Sequence, residues 1–350
     1  MRAGVLYSAG DLRVEDVPDP VPAEGEVLVE VSYNGLCGTD ATEYSKGPMM
    51  VPLTTRHPGS GHLGPTILGH EFVGRVVSAG AGAQEWVGKR VASGAGVSCG
   101  TCAWCLRGRT NLCQSYYTLG LSTHGGLAER VCAPASTLTE IPSDLPDVEA
   151  ALAQPLAVGL HAVTRSGAAP GETVVVMGAG AIGSFILAGL SGHDGEVVVA
   201  DIDPARLAAA EELGATRTIQ IEPGTSGAEL GSQVGRPVDL VIESAGAPGS
   251  AARVLDLVAR GGRVLLVGLS KEPQELALAG VVLREVDIAT TVAHVCATDL
   301  PRALDLLRDR PLGRLLGVTE VPLDAVVEQG LRPLAAGTAG GKILVAPSRG

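Results

Sequence analysis

The sequence predicts a two-domain α/β protein in which a barrel-like β domain is joined to a doubly wound parallel sheet. Three observations predict it. At 350 residues the chain is long enough for two cores. Residues 1–150 are short, mostly β segments broken by Gly and Pro. Beyond residue 150 strands alternate with helices, and the strands are almost continuously apolar.

The elements follow in order. Met1–Tyr7 lacks the longer apolar stretch of a signal peptide and is expected to be a first strand. Glu26–Val31 alternates with period two, as a half-buried strand does, and Phe72–Val77 and Leu127–Val131 are further strands. Val148–Thr164 is rich in Ala and Leu and predicts a helix. Strands are then expected at Thr173–Met177, Glu196–Ala200, Leu240–Glu243 and Arg263–Val267, with helices at Ile182–Leu190, Pro204–Leu213 and Ser250–Val258. Leu300–Leu307 predicts a helix and Lys342–Val345 a closing strand that returns to the first domain.

Composition narrows the function. A net charge of −12 argues against a nucleic-acid partner. No apolar run reaches the roughly 18–20 residues needed to cross a membrane. Four of the seven cysteines crowd into Cys99–Cys113 while Cys37, Cys132 and Cys296 stand alone, a pattern that fits metal ligation in the reducing cytoplasm better than a secreted disulfide framework.

Val174–Met177 runs into Gly178-Ala179-Gly180-Ala181-Ile182-Gly183 and an apolar helix, the strand–turn–helix context of a dinucleotide site. Gly178 permits the turn, Gly180 admits a pyrophosphate and Gly183 lets helix and strand pack closely. The helix N-terminus offers free N–H groups to phosphates. Asp201 follows the next strand about 20 residues on, where a carboxylate accepts ribose hydroxyls and repels a 2′-phosphate, favouring NAD over NADP. Asp203 is a rival for the ribose, and Arg206 is either an adenine-side contact or a surface arginine. Ile182 in the turn and Gly268, after the strand at Arg263–Val267, complete the candidate cofactor contacts.

Cys99, Cys102, Cys105 and Cys113 suit a closed tetrahedral zinc site that holds a loop without a core of its own; two local disulfides are the alternative. Asn34–Asp40 and Leu68–Phe72 carry Cys37, His70 and Glu71, the mixed donors of a catalytic metal with an exchangeable position. Taken singly, a lone Cys is more often core packing and a lone His structural.

Together with Gly261–Val264, these motifs, in this order, make the whole chain resemble the zinc-containing medium-chain dehydrogenase/reductase family. The resemblance implies a GroES-like catalytic domain at 1–155 and 291–350, with a structural-zinc lobe at 95–115, and a Rossmann NAD domain at 156–290. It implies that Cys37 and His70 bind the catalytic zinc, with Glu71 a nearby or alternating ligand. Thr39 stands where the family relays the substrate proton, Asp40 where a carboxylate orients the ligand histidine, and Lys342 where a basic residue lies near the cofactor phosphates. One departure stands out: Gln154-Pro155-Leu156 replaces the Glu-Pro-Leu of polyol-type members, whose Glu completes the zinc site. A neutral Gln154 predicts a more electrophilic, less tightly held zinc.

The insert between Asp40 and His70, including Glu43–Pro52, resembles the butanediol dehydrogenase subgroup and implies a small vicinal diol or hydroxyketone. Polyol, threonine, sugar, aminosugar and cyclitol substrates are alternatives. His57 and His62 are insert residues that either line the cleft or face solvent, His294 and Cys296 are candidates to face the substrate, and His161 is expected to pack. A homodimer built by extending the Rossmann sheets, or a homotetramer, is implied only by the resemblance. Two other readings compete. A zinc-independent enone reductase of the superfamily would need none of the candidate ligands, and a non-enzymatic NAD-binding regulator would draw support only from Gln154.

Overall fold

The computed structural model describes residues 1–270 and 273–348. The chain divides into two compact units, one formed by Met1–Ala157 with His294–Gly350 and the other by Val158–Ala293.

In the second unit six parallel strands lie in the order Arg217–Gln220, Val197–Asp201, Val174–Met177, Leu240–Glu243, Arg263–Leu266 and Asp287–Thr290. Numbered along the chain this is 3-2-1-4-5-6, the order of dinucleotide-binding sheets. Val174 pairs with Val197 on one side and Leu240 on the other, and both neighbours are buried, so branched apolar residues fill both faces. Helices Ala181–Gly189, Pro204–Leu213 and Ser250–Leu257 form at the expected positions. Val175, Val198, Val241 and Val264 join Leu230, Val254 and Leu257 in this unit's core.

In the first unit the strands Leu138–Glu140, Arg90–Ser93, Glu71–Ala79, Glu26–Gly35, Ile343–Ala346 and Thr319–Pro322 are neighbours in one sheet, and Arg130–Pro134 also pairs with Glu26–Gly35. A smaller sheet joins Asp11–Asp16, Arg2–Ser8 and Thr66–Ile67. The C-terminal strand lies antiparallel to Glu26–Gly35, with Leu344 opposite Gly35.

The helix expected at Val148–Thr164 is two helices, Asp147–Ala150 and Ala153–Ser166. Pro155 has no N–H to give the carbonyl of Ala151, so it is tolerated only in a first turn, and the chain restarts its helix just before it. Gly38–Lys46 is a further helix, outside the elements expected from the sequence. Among the described residues no helix is long and apolar enough to cross a membrane.

Candidate active site and metal centres

Strand pairing assembles the first centre. Gly35 lies opposite Glu71 in the antiparallel ladder, so the segments leaving these strand ends, Leu36-Cys37 and Gly69-His70, emerge side by side. Cys37 is the N-cap of the helix Gly38–Lys46, in a capping box with Asp40. The ligand atoms of Cys37, His70 and Glu71 all lie within 4.8 Å of one another. Thr39 Oγ1 is 3.7 Å from Cys37 Sγ.

Asp40 is fully buried behind this cluster. Its Oδ2 accepts the Cys37 N–H at 2.9 Å, and its Oδ1 stands 3.4 Å from His70 Nδ1. Neither of the latter two atoms makes a hydrogen bond, although both are buried. Burial alone would pull the His70 pKa down, but the Asp40 carboxylate and the Cys37 sulfur outweigh it and raise it well above the ordinary value. A thiol, an imidazole and a carboxyl converge here with the Asp40 carboxyl behind the imidazole, and this donor set fits zinc.

Glu71 has a second partner. Lys342, the residue before the C-terminal strand, donates from Nζ to Glu71 Oε2 and, at 2.9 Å, to the carbonyl of Leu36. Both side chains are buried. The resemblance implies a place near cofactor phosphates for Lys342; in the structure its ammonium bonds Glu71 and the Leu36 carbonyl. Gln154 lies half-buried in the first turn of Ala153–Ser166 and adds no charge to the three donors.

The four-cysteine lobe forms the second centre. Cys99, Cys102, Cys105 and Cys113 are free thiols whose sulfurs lie within 4.8 Å of one another. The Cys102–Cys105 and Cys99–Cys105 sulfur separations are 3.6 and 4.0 Å. A disulfide needs about 2.05 Å, whereas a tetrahedral zinc with bonds of about 2.3 Å needs edges of about 3.8 Å. The spacing answers to the metal and sets aside the two local disulfides. The N–H and hydroxyl of Thr101 pull Cys99 down to about 6, while burial and neighbouring thiols push Cys105 up to about 11.

The second unit holds the nucleotide-type turn. Gly178 follows the strand Val174–Met177 at φ +96°, and a Cβ on Gly183 would stand 1.9 Å from the Gly178 carbonyl oxygen. A Cβ on Gly180 would meet open space, the room a pyrophosphate requires. Asp201 is buried; its Oδ2 accepts the Ala179 N–H at 2.6 Å and its Oδ1 the Asp203 N–H at 2.9 Å. Asp203 instead caps the helix Pro204–Leu213, accepting from Ala205 N at 2.9 Å. Arg206 is exposed, 3.9 Å from Asp201 and 3.5 Å from Asp203. Ile182 is half-buried in the first turn of its helix.

Sequence reasoning missed Glu243. It ends its strand where the sheet order reverses, is buried, and accepts the N–H groups of Ala245 and Gly246 at 3.0 and 2.9 Å. A side chain on Gly268 would collide with Gly246 and the Glu243 carboxylate. The only signal was an acid closing the apolar run Leu240-Val241-Ile242.

The remaining histidines have structural partners. His57 Nδ1 accepts from Gly59 and Ser60, and His62 Nε2 meets Thr66 Oγ1 at 2.9 Å beside the His124 ring. His294 and Cys296 are buried against the backbone of Gly94 and Gly96, and His161 is buried.

Comparison with known proteins agrees with this geometry. The alcohol dehydrogenase GroES-like domain family matches residues 23–143, and the zinc-binding dehydrogenase family matches residues 181–309. The sorbitol dehydrogenase of Bacillus subtilis (strain 168) is 32% identical over 88% of this chain and 86% of its own. The crystal structure of 2R,3R-butanediol dehydrogenase from Bacillus subtilis superposes with a TM-score of 0.89 at 28% identity, covering 99% of both chains. An alcohol dehydrogenase from Escherichia coli CFT073, solved with NADH, gives 0.87 at 27% identity over 99% of both chains. The chain belongs to the zinc-type alcohol dehydrogenases of the medium-chain dehydrogenase/reductase family.

Proposed function

We propose that this protein is an NAD-dependent zinc dehydrogenase that interconverts a secondary alcohol and a ketone, with a small vicinal diol or polyol as substrate. The observation that carries it is the convergence of Cys37, His70 and Glu71 with Asp40 behind the histidine. When bound, zinc supplies a Lewis acid that lowers the pKa of an alcohol hydroxyl, and NAD supplies the hydride acceptor. Cys37 and His70 hold the metal, Glu71 stands beside them on Lys342, and Asp40 keeps the imidazole oriented. The Thr39 hydroxyl, within reach of the Cys37 sulfur, carries the substrate proton outward. Gln154 leaves the centre with less negative charge. The four cysteines hold a second, structural zinc.

We assign the unit formed by Met1–Ala157 with His294–Gly350 to catalysis and Val158–Ala293 to the cofactor. In the latter, Gly178, Gly180, Ile182, Gly183 and Gly268 line the nucleotide and Asp201 selects NAD by facing the ribose. The thiols suit a reducing compartment such as the cytoplasm. The strand Asp287–Thr290 is a sheet edge, and Ile288, Val282 and Leu283 are exposed around it, which favours a homodimer paired through that edge.

The test is a screen for NADH formation over vicinal diols, polyols, threonine and cyclitols, with zinc content and mass in solution measured on the same preparation. Turnover of at least one alcohol class by a zinc-loaded dimer or larger assembly is expected. Silence across all classes with zinc bound would favour a non-enzymatic NAD-binding regulator, and a monomer would remove the sheet-edge pairing.

A further inference from the structure

The segments that carry Cys37 and His70 each begin on a glycine. Gly35 ends the strand Glu26–Gly35, two residues before Cys37, and Gly69 immediately precedes His70. Neither position admits a side chain. A Cβ on Gly35 would strike the Glu71 carboxylate, and Gly69 stands at φ +94°, a conformation that side chains rarely adopt. Sterics thus place the most pliant residue type at two points where metal ligands need a fixed backbone.

One side chain meets both glycines. Asn34 is fully buried in its strand, paired with Phe72 on one side and Val345 on the other. Its Nδ2 donates to the carbonyl of Gly35 at 3.1 Å. Its Oδ1 lies against Gly69, where it would stand 2.5 Å from a Cβ on that residue, with the Leu127 nitrogen at 2.7 Å. The route to Cys37 is then held at three successive points. Asn34 holds the Gly35 carbonyl, Lys342 the Leu36 carbonyl at 2.9 Å, and Asp40 the Cys37 N–H at 2.9 Å.

This arrangement carries a penalty. Asn34 Oδ1 is buried without a hydrogen-bond partner among the described residues, a state that folding ordinarily avoids. A leucine at the same position would bury no orphaned side-chain oxygen. What the amide adds is backbone geometry at two ligands.

We propose that Asn34 is a positioning residue for the zinc of Cys37, His70 and Glu71, its amide fixing Gly35 and Gly69 so that both ligands are set before the metal arrives. The inference rests on the reading of those three residues as a zinc centre. Ligands already ordered lose less freedom when the metal binds, so the effect belongs to metal affinity.

The test compares wild type with Asn34→Leu and Asn34→Val, which strip the amide at two side-chain sizes so that overpacking by one does not decide the outcome. Zinc is titrated out of each protein with a chelator of known affinity, the four-cysteine zinc serves as internal reference, and the urea midpoint is measured on the chelated protein. Losing the amide removes one orphaned oxygen but strips the Gly35 carbonyl of its partner, so the midpoint should stay near that of wild type. The dissociation constant of the first zinc released should rise about tenfold or more, the usual weight of a residue that orients metal ligands, while that of the cysteine lobe stays the same. Equal dissociation constants in wild type and both variants would overturn the proposal. A midpoint lowered in step with zinc loss in both variants would also overturn it, leaving Asn34 a packing residue. A wild type that binds a single zinc would instead overturn the reading of the centre, and the role of Asn34 with it.

Discussion

At the scale of single residues, the most consequential contact joins positions 271 residues apart, Lys342 and Glu71. No spacing rule reaches across such a separation. The motif identified Glu71 as a ligand candidate, but the pairing that holds it exists only because the C-terminal strand lies beside Glu26–Gly35. Breaking a buried pair leaves a charge without water or partner, which costs about 3–5 kcal/mol. Lys342→Met should therefore lower the urea midpoint of the metal-free protein markedly, whereas Lys342→Arg should recover much of the loss. Equal midpoints for wild type and Lys342→Met would show that the pair contributes little. Glu43 was equally illegible: the N–H groups of Met49 and Met50 that it accepts lie outside any local pattern. Asp201 was legible because the Gly178–Gly183 turn and the next strand set its distance in advance.

At the scale of elements, legibility followed periodicity. Val174–Met177 and Val197–Asp201 are buried apolar strands bounded by Gly and Asp, and both were visible in composition alone. Gly38–Lys46 was not, because it is short, mostly polar and capped through Cys37 and Asp40 rather than marked by an apolar stripe. The two metal-binding elements differ in how they should hold zinc. The Cys99–Cys113 lobe offers four thiols that draw charge relief from one cation. The other centre offers one thiol, one imidazole and a carboxylate already engaged by Lys342, with Gln154 neutral. Mild chelation should consequently remove the zinc of Cys37 and His70 first, leaving one zinc per chain and the lobe intact. Parallel loss of both metals, followed by metal analysis over time, would count against that difference.

At the scale of the whole molecule, the order of the strands carries the functional logic. A parallel sheet ordered 3-2-1-4-5-6 leaves a crevice where the order reverses, and Met177, followed by Gly178, and Glu243 end the two strands that border it. In the other unit, antiparallel pairing of Glu26–Gly35 with Glu71–Ala79 brings Cys37 and His70 together from segments with little sequence between them in space but an insert between them in the chain. That insert was readable only as a subgroup resemblance. The most direct measurement is zinc stoichiometry and alcohol-dependent NADH formation in wild type and Cys37→Ser, assayed side by side. Two zinc ions per chain and turnover are predicted for wild type, and one zinc with a rate lower by on the order of a thousandfold for Cys37→Ser, since the Lewis acid is worth several kcal/mol. Undiminished turnover in Cys37→Ser, or two zinc ions retained by it, would contradict a catalytic metal at this centre.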